Sequence, residues 1–161
     1  DSLQKAYSFV DYHISDSSTY TAFDTISVVP TIYTTLALKS TAVARSTSYN
    51  MNFDSQPLSW HFNIPGTYEI TFSADATFPS GDLLIILGFK SGVGAIFRRS
   101  IPSLTSFNPN NITINDYINI TQADIDNQNT NAIVLFWWGI KGLVNSFDVY
   151  FYDVHVRIKR M

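Results

Sequence analysis

The residues able to do acid–base, nucleophilic or metal chemistry are few. There are three histidines and no cysteine, which excludes thiolate nucleophiles, thiolate metal sites and disulfides. His13, His61 and His155 are far apart in sequence and show no metal-binding spacing such as two histidines one helical turn apart. The plain reading of each is a surface or hydrogen-bonded imidazole. No Gly-x-Ser-x-Gly elbow occurs, and the glycines from Gly88 to Gly94 lack the lysine and helix of a phosphate-binding loop. Two carboxylates can hydrolyse a glycoside when correctly separated. Glu69 is the sole glutamate, and Asp75 shares its parity. Six residues along a strand span about 20 Å, too far for such a pair. The expectation is a protein that binds and does not catalyse, with no cofactor and no metal.

Binding chemistry is better supplied. Aromatic residues make up 15% of the chain, mostly Phe and Tyr. Aromatic rings stack on the apolar faces of sugars, while neighbouring amides, hydroxyls and carboxylates take the sugar hydroxyls. Trp137 and Trp138 are adjacent, so on one strand they point to opposite faces and at most one joins the main core. Trp137 is the expected exposed member. Trp60 shares parity with Leu58, Phe62 and Ile64 and is expected in the core. Trp137, His61, Glu69, Asp75 and Arg98 are the candidate ligand contacts, chosen by their exposure pattern.

These residues must be positioned by strands. Tyr68, Ile70, Phe72, Ala74, Ala76 and Phe78 alternate with Thr67, Glu69, Thr71, Ser73, Asp75 and Thr77, the pattern of a half-buried strand. Pro65-Gly66 separates it from an alternating segment over 58–64, and Tyr49, Met51 and Phe53 alternate with Asn50 and Asn52. The continuous apolar run 83–89 predicts a strand covered on both faces. Ser91-Gly92 turns into a further strand, Val93 to Phe97. Ile112, Ile114, Ile118 and Ile120 share a parity around Asp116, predicting a strand or a tight hairpin there. Thr121-Gln122-Ala123-Asp124 has the spacing of a helix cap and predicts one helical turn. Strands are expected over Ala132–Ile140 and Phe147–Lys159. In the last, apolar parity switches near Tyr152-Asp153, which predicts a bulge or a strand passing from one environment to another. Further strands are expected over 6–14, 26–38 and 42–45, with Pro30 at an edge or a break.

Roughly eight to ten short strands without repeats imply an all-β fold, an antiparallel β-sandwich of the jelly-roll kind. The 161 residues fit a single domain, 1–161. A net charge of −3 argues against nucleic acid, which calls for a basic face. No apolar run reaches the length of a membrane span, so membrane insertion is not expected. A start at Asp1 suggests a mature chain or a part of a longer protein. Charged residues are 14%, against roughly 25% in an average domain. A polar, weakly charged surface suits neutral ligands such as sugars. Asn111-Ile112-Thr113 and Asn119-Ile120-Thr121 match the N-glycosylation pattern, which chance produces readily in so Asn- and Thr-rich a chain.

The segments Ile64-Pro65-Gly66-Thr67-Tyr68-Glu69-Ile70-Thr71-Phe72 and Phe147-Asp148-Val149-Tyr150-Phe151-Tyr152-Asp153-Val154-His155-Val156 resemble the jelly-roll carbohydrate-binding modules. Those modules carry a Gly-x-Tyr-x-x-x-Phe strand and end in an aromatic strand running into Asp-Val. Where they usually show two acids this chain has only Asp153, which departs from their structural calcium site. The Pro-Gly-x-Tyr strand also resembles trimeric heads of the tumour-necrosis-factor and complement-component type, such as those capping phage tail fibres. The resemblance implies surface recognition: a saccharide or another cell-surface receptor as partner, on a virion tail or baseplate or at an extracellular or cell surface. The second implication is structural, a homotrimeric head or capsid-type jelly roll whose exposed aromatics form subunit contacts.

Overall fold

The computed structural model describes residues 7–14, 24–37, 44–55, 58–79, 81–102 and 110–161. Its strands are β1 (Phe9–Ile14), β2 (Asp24–Val28), β3 (Thr34–Thr35), β4 (Ala44–Tyr49), β5 (Met51–Ser55), β6 (Leu58–Phe62), β7 (Gly66–Thr77), β8 (Leu83–Lys90), β9 (Gly94–Pro102), β10 (Asn110–Ile120), β11 (Phe136–Gly142) and β12 (Phe147–Arg160). One helix, α1 (Gln122–Asn131), lies between β10 and β11. Sheet one runs β10-β7-β12-β1-β4, with β2 beside the first half of β12. Sheet two runs β5-β6-β11-β8-β9, with β3 on β11. Every strand pairing among the described residues is antiparallel. Taking β1 and β2 as one broken strand, the sheets read β1/β2-β12-β7-β10 and β6-β11-β8-β9, and within this set every connection except that between β8 and β9 crosses from one layer to the other. That is the jelly roll, an all-β antiparallel sandwich as expected.

The core lies between the inner faces. Phe72 of sheet one meets Trp138 of sheet two at 5.1 Å between ring centroids, and Tyr68 meets Phe62 edge-on at 4.8 Å. Trp60, Phe62, Tyr68, Phe72, Phe136 and Trp138 are all sealed from solvent. Each large apolar side chain so buried contributes about 1.5–3 kcal/mol. The even-numbered residues of β7 point inward throughout, as the alternation requires.

The bulge expected in β12 is present. Its pairing with β7 shifts between Tyr152 and Val154, and Asp153 takes a positive φ of 38°. The partner on the other side changes at the same point, from β2 up to Phe151 to β1 from Val154. The extra residue lets Val149 and Phe151, then Val154, Val156 and Ile158, all reach the core.

Several segments differ from the sequence expectation. Residues 49–53 are not one strand: Asn50, at φ 54°, ends β4 in sheet one and starts β5 in sheet two. Tyr49 and Met51 share a parity, yet Tyr49 is 43% exposed and Met51 is buried. The chain has changed layer between them. β10 is one continuous strand and not a hairpin, and Asp116 bonds Arg99 of β9 at 3.0 Å across the edge of the sandwich. The expected strand over 26–38 is broken after Val28 and resumes only as β3, consistent with Pro30 denying a ladder hydrogen bond. The outer parts of the expected segments 6–14, 26–38 and 42–45, at residues 6, 38 and 42–43, lie outside the described residues.

The helix is longer than the single turn expected, and the strand read from Ala132 begins only at Phe136. Thr121 Oγ1 accepts from the Asp124 N–H at 3.1 Å, and Asp124 Oδ2 accepts from the Thr121 N–H at 2.8 Å. This reciprocal capping box starts the helix, and Ala132, in left-handed conformation at φ 51°, ends it. Gln128 is buried and bonds both backbone groups of Phe62, accepting at 2.9 Å and donating at 3.0 Å. The helix thereby closes the end of β6.

Candidate functional site

The outer faces of the two sheets differ. In sheet two, Ile85 and Leu87 point away from the core yet are 0% and 3% exposed, so this face of β8 is covered, as the apolar run predicted. Sheet one turns a continuous polar and aromatic face to solvent. Strand pairing arranges it in rows. The first row is Tyr117, Glu69, Lys159, Phe9 and Tyr49, on β10, β7, β12, β1 and β4 in turn. The second is Asn115, Thr71, Arg157, Asp11 and Thr47. With strands about 4.8 Å apart, a row crosses roughly 19 Å.

A groove of about 420 Å³ opens on these rows, lined by Tyr7, Phe9, Asp11, Glu69, Thr71, Arg157 and Lys159 together with the backbone edges of Val10 and Ile158. One wall is aromatic. Tyr7 lies 5.3 Å from Phe9 and 6.5 Å from Tyr49, and Phe9 and Tyr49 are nearly parallel at 6.5 Å. Tyr7 is 52% exposed. Opposite stands Glu69. Its Oε2 accepts from the Tyr117 hydroxyl at 3.1 Å, and Lys159 Nζ lies 3.5 Å from Oε1. The Tyr117 hydrogen bond, aided by the Lys159 charge, holds the Glu69 carboxyl below its ordinary pKa despite partial desolvation. The same hydrogen bond raises the Tyr117 phenol. Glu69 is therefore a fixed carboxylate acceptor at neutral pH.

One row farther along the same face, two imidazoles stand 4.9 Å apart, each tied to a carboxylate of the neighbouring strand. His155 Nε2 meets Asp11 Oδ1 at 2.7 Å, and His13 Nε2 meets Asp153 Oδ1 at 2.6 Å. Among the described residues no group of three or more His, Cys, Asp or Glu could hold a metal. A second hollow of about 460 Å³, at Phe78, Pro79, Phe147 and Tyr150, lies elsewhere on the molecule and has fewer polar groups converging on it.

The five candidate contacts fall on opposite sides of the sandwich. Glu69 lines the groove. Asp75 is on the same face of the same strand, farther along, and accepts from Asn111 at 3.1 Å. His61, Arg98 and Trp137 belong to sheet two, beyond the core. Trp137 is half-buried and stacks on Phe89 at 5.5 Å and 10°, while Trp138 is in the core. Phe89 can lean over β11 because Gly139 carries no side chain: a Cβ there would meet the Phe89 ring at 2.5 Å. Tyr33 packs edge-on against Phe89 at 5.2 Å, with Lys141 4.8 Å over the Tyr33 ring. Arg98 is exposed opposite Leu87, and His61 is half-buried opposite Asn52. No single ligand of modest size spans both groups. The groove residues Tyr7, Phe9, Asp11, Arg157 and Lys159 were not singled out by sequence, although Phe9, Asp11 and His13 alternate with the buried Val10, Tyr12 and Ile14.

No family model and no curated protein matches this sequence. Among solved structures, the chain is similar to PRD1 vertex protein P5, with 14% identity and a TM-score of 0.49 over 96% of this chain and 73% of that one. A likeness of that strength says nothing of ligand or partner. Among the described residues no helix is long and apolar enough to cross a membrane.

Proposed function

We propose that this domain is a non-catalytic recognition module that binds saccharide in the groove on sheet one, at the surface of a virion or a cell. The observation that carries the reading is the pairing, in one open groove, of the Tyr7–Phe9 wall, extended outside the groove by Tyr49, with the ionised, doubly held Glu69. The wall offers ring faces for a pyranose, and Glu69 offers lone pairs to its hydroxyls. A glycosidase acid needs a raised pKa. Glu69 is shifted in the opposite direction, which argues against that acid role.

The trimeric-head reading calls for a continuous apolar face to bury against sister subunits. The exposed aliphatics described, Val93, Leu143 with Val144, and Ile32 beside Tyr33, fall in separate turns and not along one strand face. Scattered residues of this kind are ordinary surface. A glycan array of cell-wall and capsular saccharides tests the proposal, with Tyr7→Ala and Glu69→Gln alongside. Saturable binding by the parent, weakened at least about tenfold in each variant, is expected. Binding that both folded variants retain in full would move the site elsewhere, and a tight trimer that binds no glycan would favour the structural reading.

A further inference from the structure

The groove's charged groups are not all engaged. Glu69 is held by Tyr117 and Lys159, and Asp11 by His155. Arg157 projects from β12 between Thr71 and Asp11 in the second row. Its guanidinium is exposed and has no hydrogen bond or ion pair among the described residues, although Asp11 is its register neighbour. Thr71 Oγ1 accepts from Asn115 Nδ2 at 3.0 Å, which leaves the hydroxyl proton of Thr71 free to donate outward. A planar fork of donors and a hydroxyl donor therefore stand side by side on the groove floor, with ring faces on one side.

On the proposed saccharide groove, we infer that the ligand is an acidic sugar, a uronate or a sialic-acid-like residue. Its carboxylate is received by Arg157 and Thr71 while its ring lies toward Tyr7 and Phe9. A guanidinium matches a carboxylate in two parallel hydrogen bonds, stronger and more directional than those to a neutral hydroxyl. Glu69 and Asp11 would repel an anion if they faced it bare. Each is turned to a donor of its own, so the nearest uncommitted group is cationic.

The test compares polygalacturonate, alginate and polysialic acid with the carboxyl-reduced form of each, and with dextran sulfate, by titration calorimetry on the parent, Arg157→Gln and Thr71→Val. We expect at least one acidic polymer to bind the parent about tenfold or more tightly than its reduced form. Arg157→Gln should bind both forms at the weaker level, and Thr71→Val should lose part of the preference. Equal binding of acidic and reduced forms, equal binding of dextran sulfate, or a preference that survives in Arg157→Gln overturns the carboxylate assignment and leaves the groove standing. If the parent binds none of the polymers, acidic or reduced, the groove reading itself fails.

Discussion

At the scale of single residues, Gln128 shows how one side chain can complete a strand. It is buried in a helix, and its amide satisfies both the N–H and the C=O of Phe62 at the end of β6. Replacing it with alanine leaves two buried backbone groups without partners, each costing about 1–3 kcal/mol. We expect Gln128→Ala to lower the urea midpoint accordingly with the slope unchanged, and Gln128→Glu to restore only the acceptor. A midpoint equal to that of the parent in Gln128→Ala would show that water replaces the amide. Gln128 carried no signal in the sequence, since an isolated Gln in a polar stretch looks like surface. Glu69 was legible because strict alternation put it on the solvent side of a long strand. Arg157 has the same kind of position, but only the long-range pairing of β12 with β7 sets it beside Thr71, and no local pattern announces that.

At the scale of elements, the helix start was legible and its length was not. The spacing of Thr121 and Asp124 announces a capping box. Beyond it only Ile125 and Gln128 are buried, so no apolar stripe of helical period exists for sequence to display. The cap is also where charge enters stability. Burial pushes the Asp124 carboxyl upward, but hydrogen bonds from Lys90 and Thr121 outweigh it, and the pKa lies below its ordinary value. Lys90 Nζ is 2.8 Å from Asp124 Oδ2. A carboxyl depressed in the folded state stabilises fully above its unfolded pKa of about 3.9, and that contribution fades as pH falls through the folded value. Asp124→Asn should therefore be less stable than the parent at pH 7, and the gap should narrow below about pH 4. Thr121→Ala, which removes the other half of the box, should cost about 1 kcal/mol at both pH values. Thermal melts of the three proteins at pH 7 and pH 3 check both statements, and a pH-independent gap for Asp124→Asn would count against the ionic part of the argument. The β12 irregularity, by contrast, was readable in place, because a parity switch within one apolar run calls for a bulge or a change of environment, and both occur at Tyr152-Asp153.

At the scale of the whole molecule, alternation tells inside from outside but not one outside from the other. A sandwich has two solvent sides, and a strand's polar residues look the same whichever sheet it joins. That is why His61, Arg98 and Trp137 were grouped with Glu69 and Asp75, although the core separates them. The sheet assignment comes from pairings distant in sequence, such as Phe9 with Lys159 and Trp137 with Phe89, and no local pattern encodes them. The consequence is measurable. Substitutions on well-separated sites with no shared partners act independently, within about 0.5 kcal/mol. Trp137→Ala removes a stacked pair with Phe89, which contributes roughly 0.5–1.5 kcal/mol beyond the area it buries. It should lower the melting temperature yet leave saccharide affinity of the groove unchanged, as should Arg98→Ala and His61→Ala. Tyr7→Ala should do the reverse, since a half-exposed ring at the groove wall holds little of the core but faces the ligand. Calorimetric titrations paired with melts of these four variants separate the two effects. Should Trp137→Ala abolish binding while Tyr7→Ala spares it, the ligand lies over Trp137, Phe89 and Tyr33 on sheet two, and the open face of sheet one belongs to some other contact.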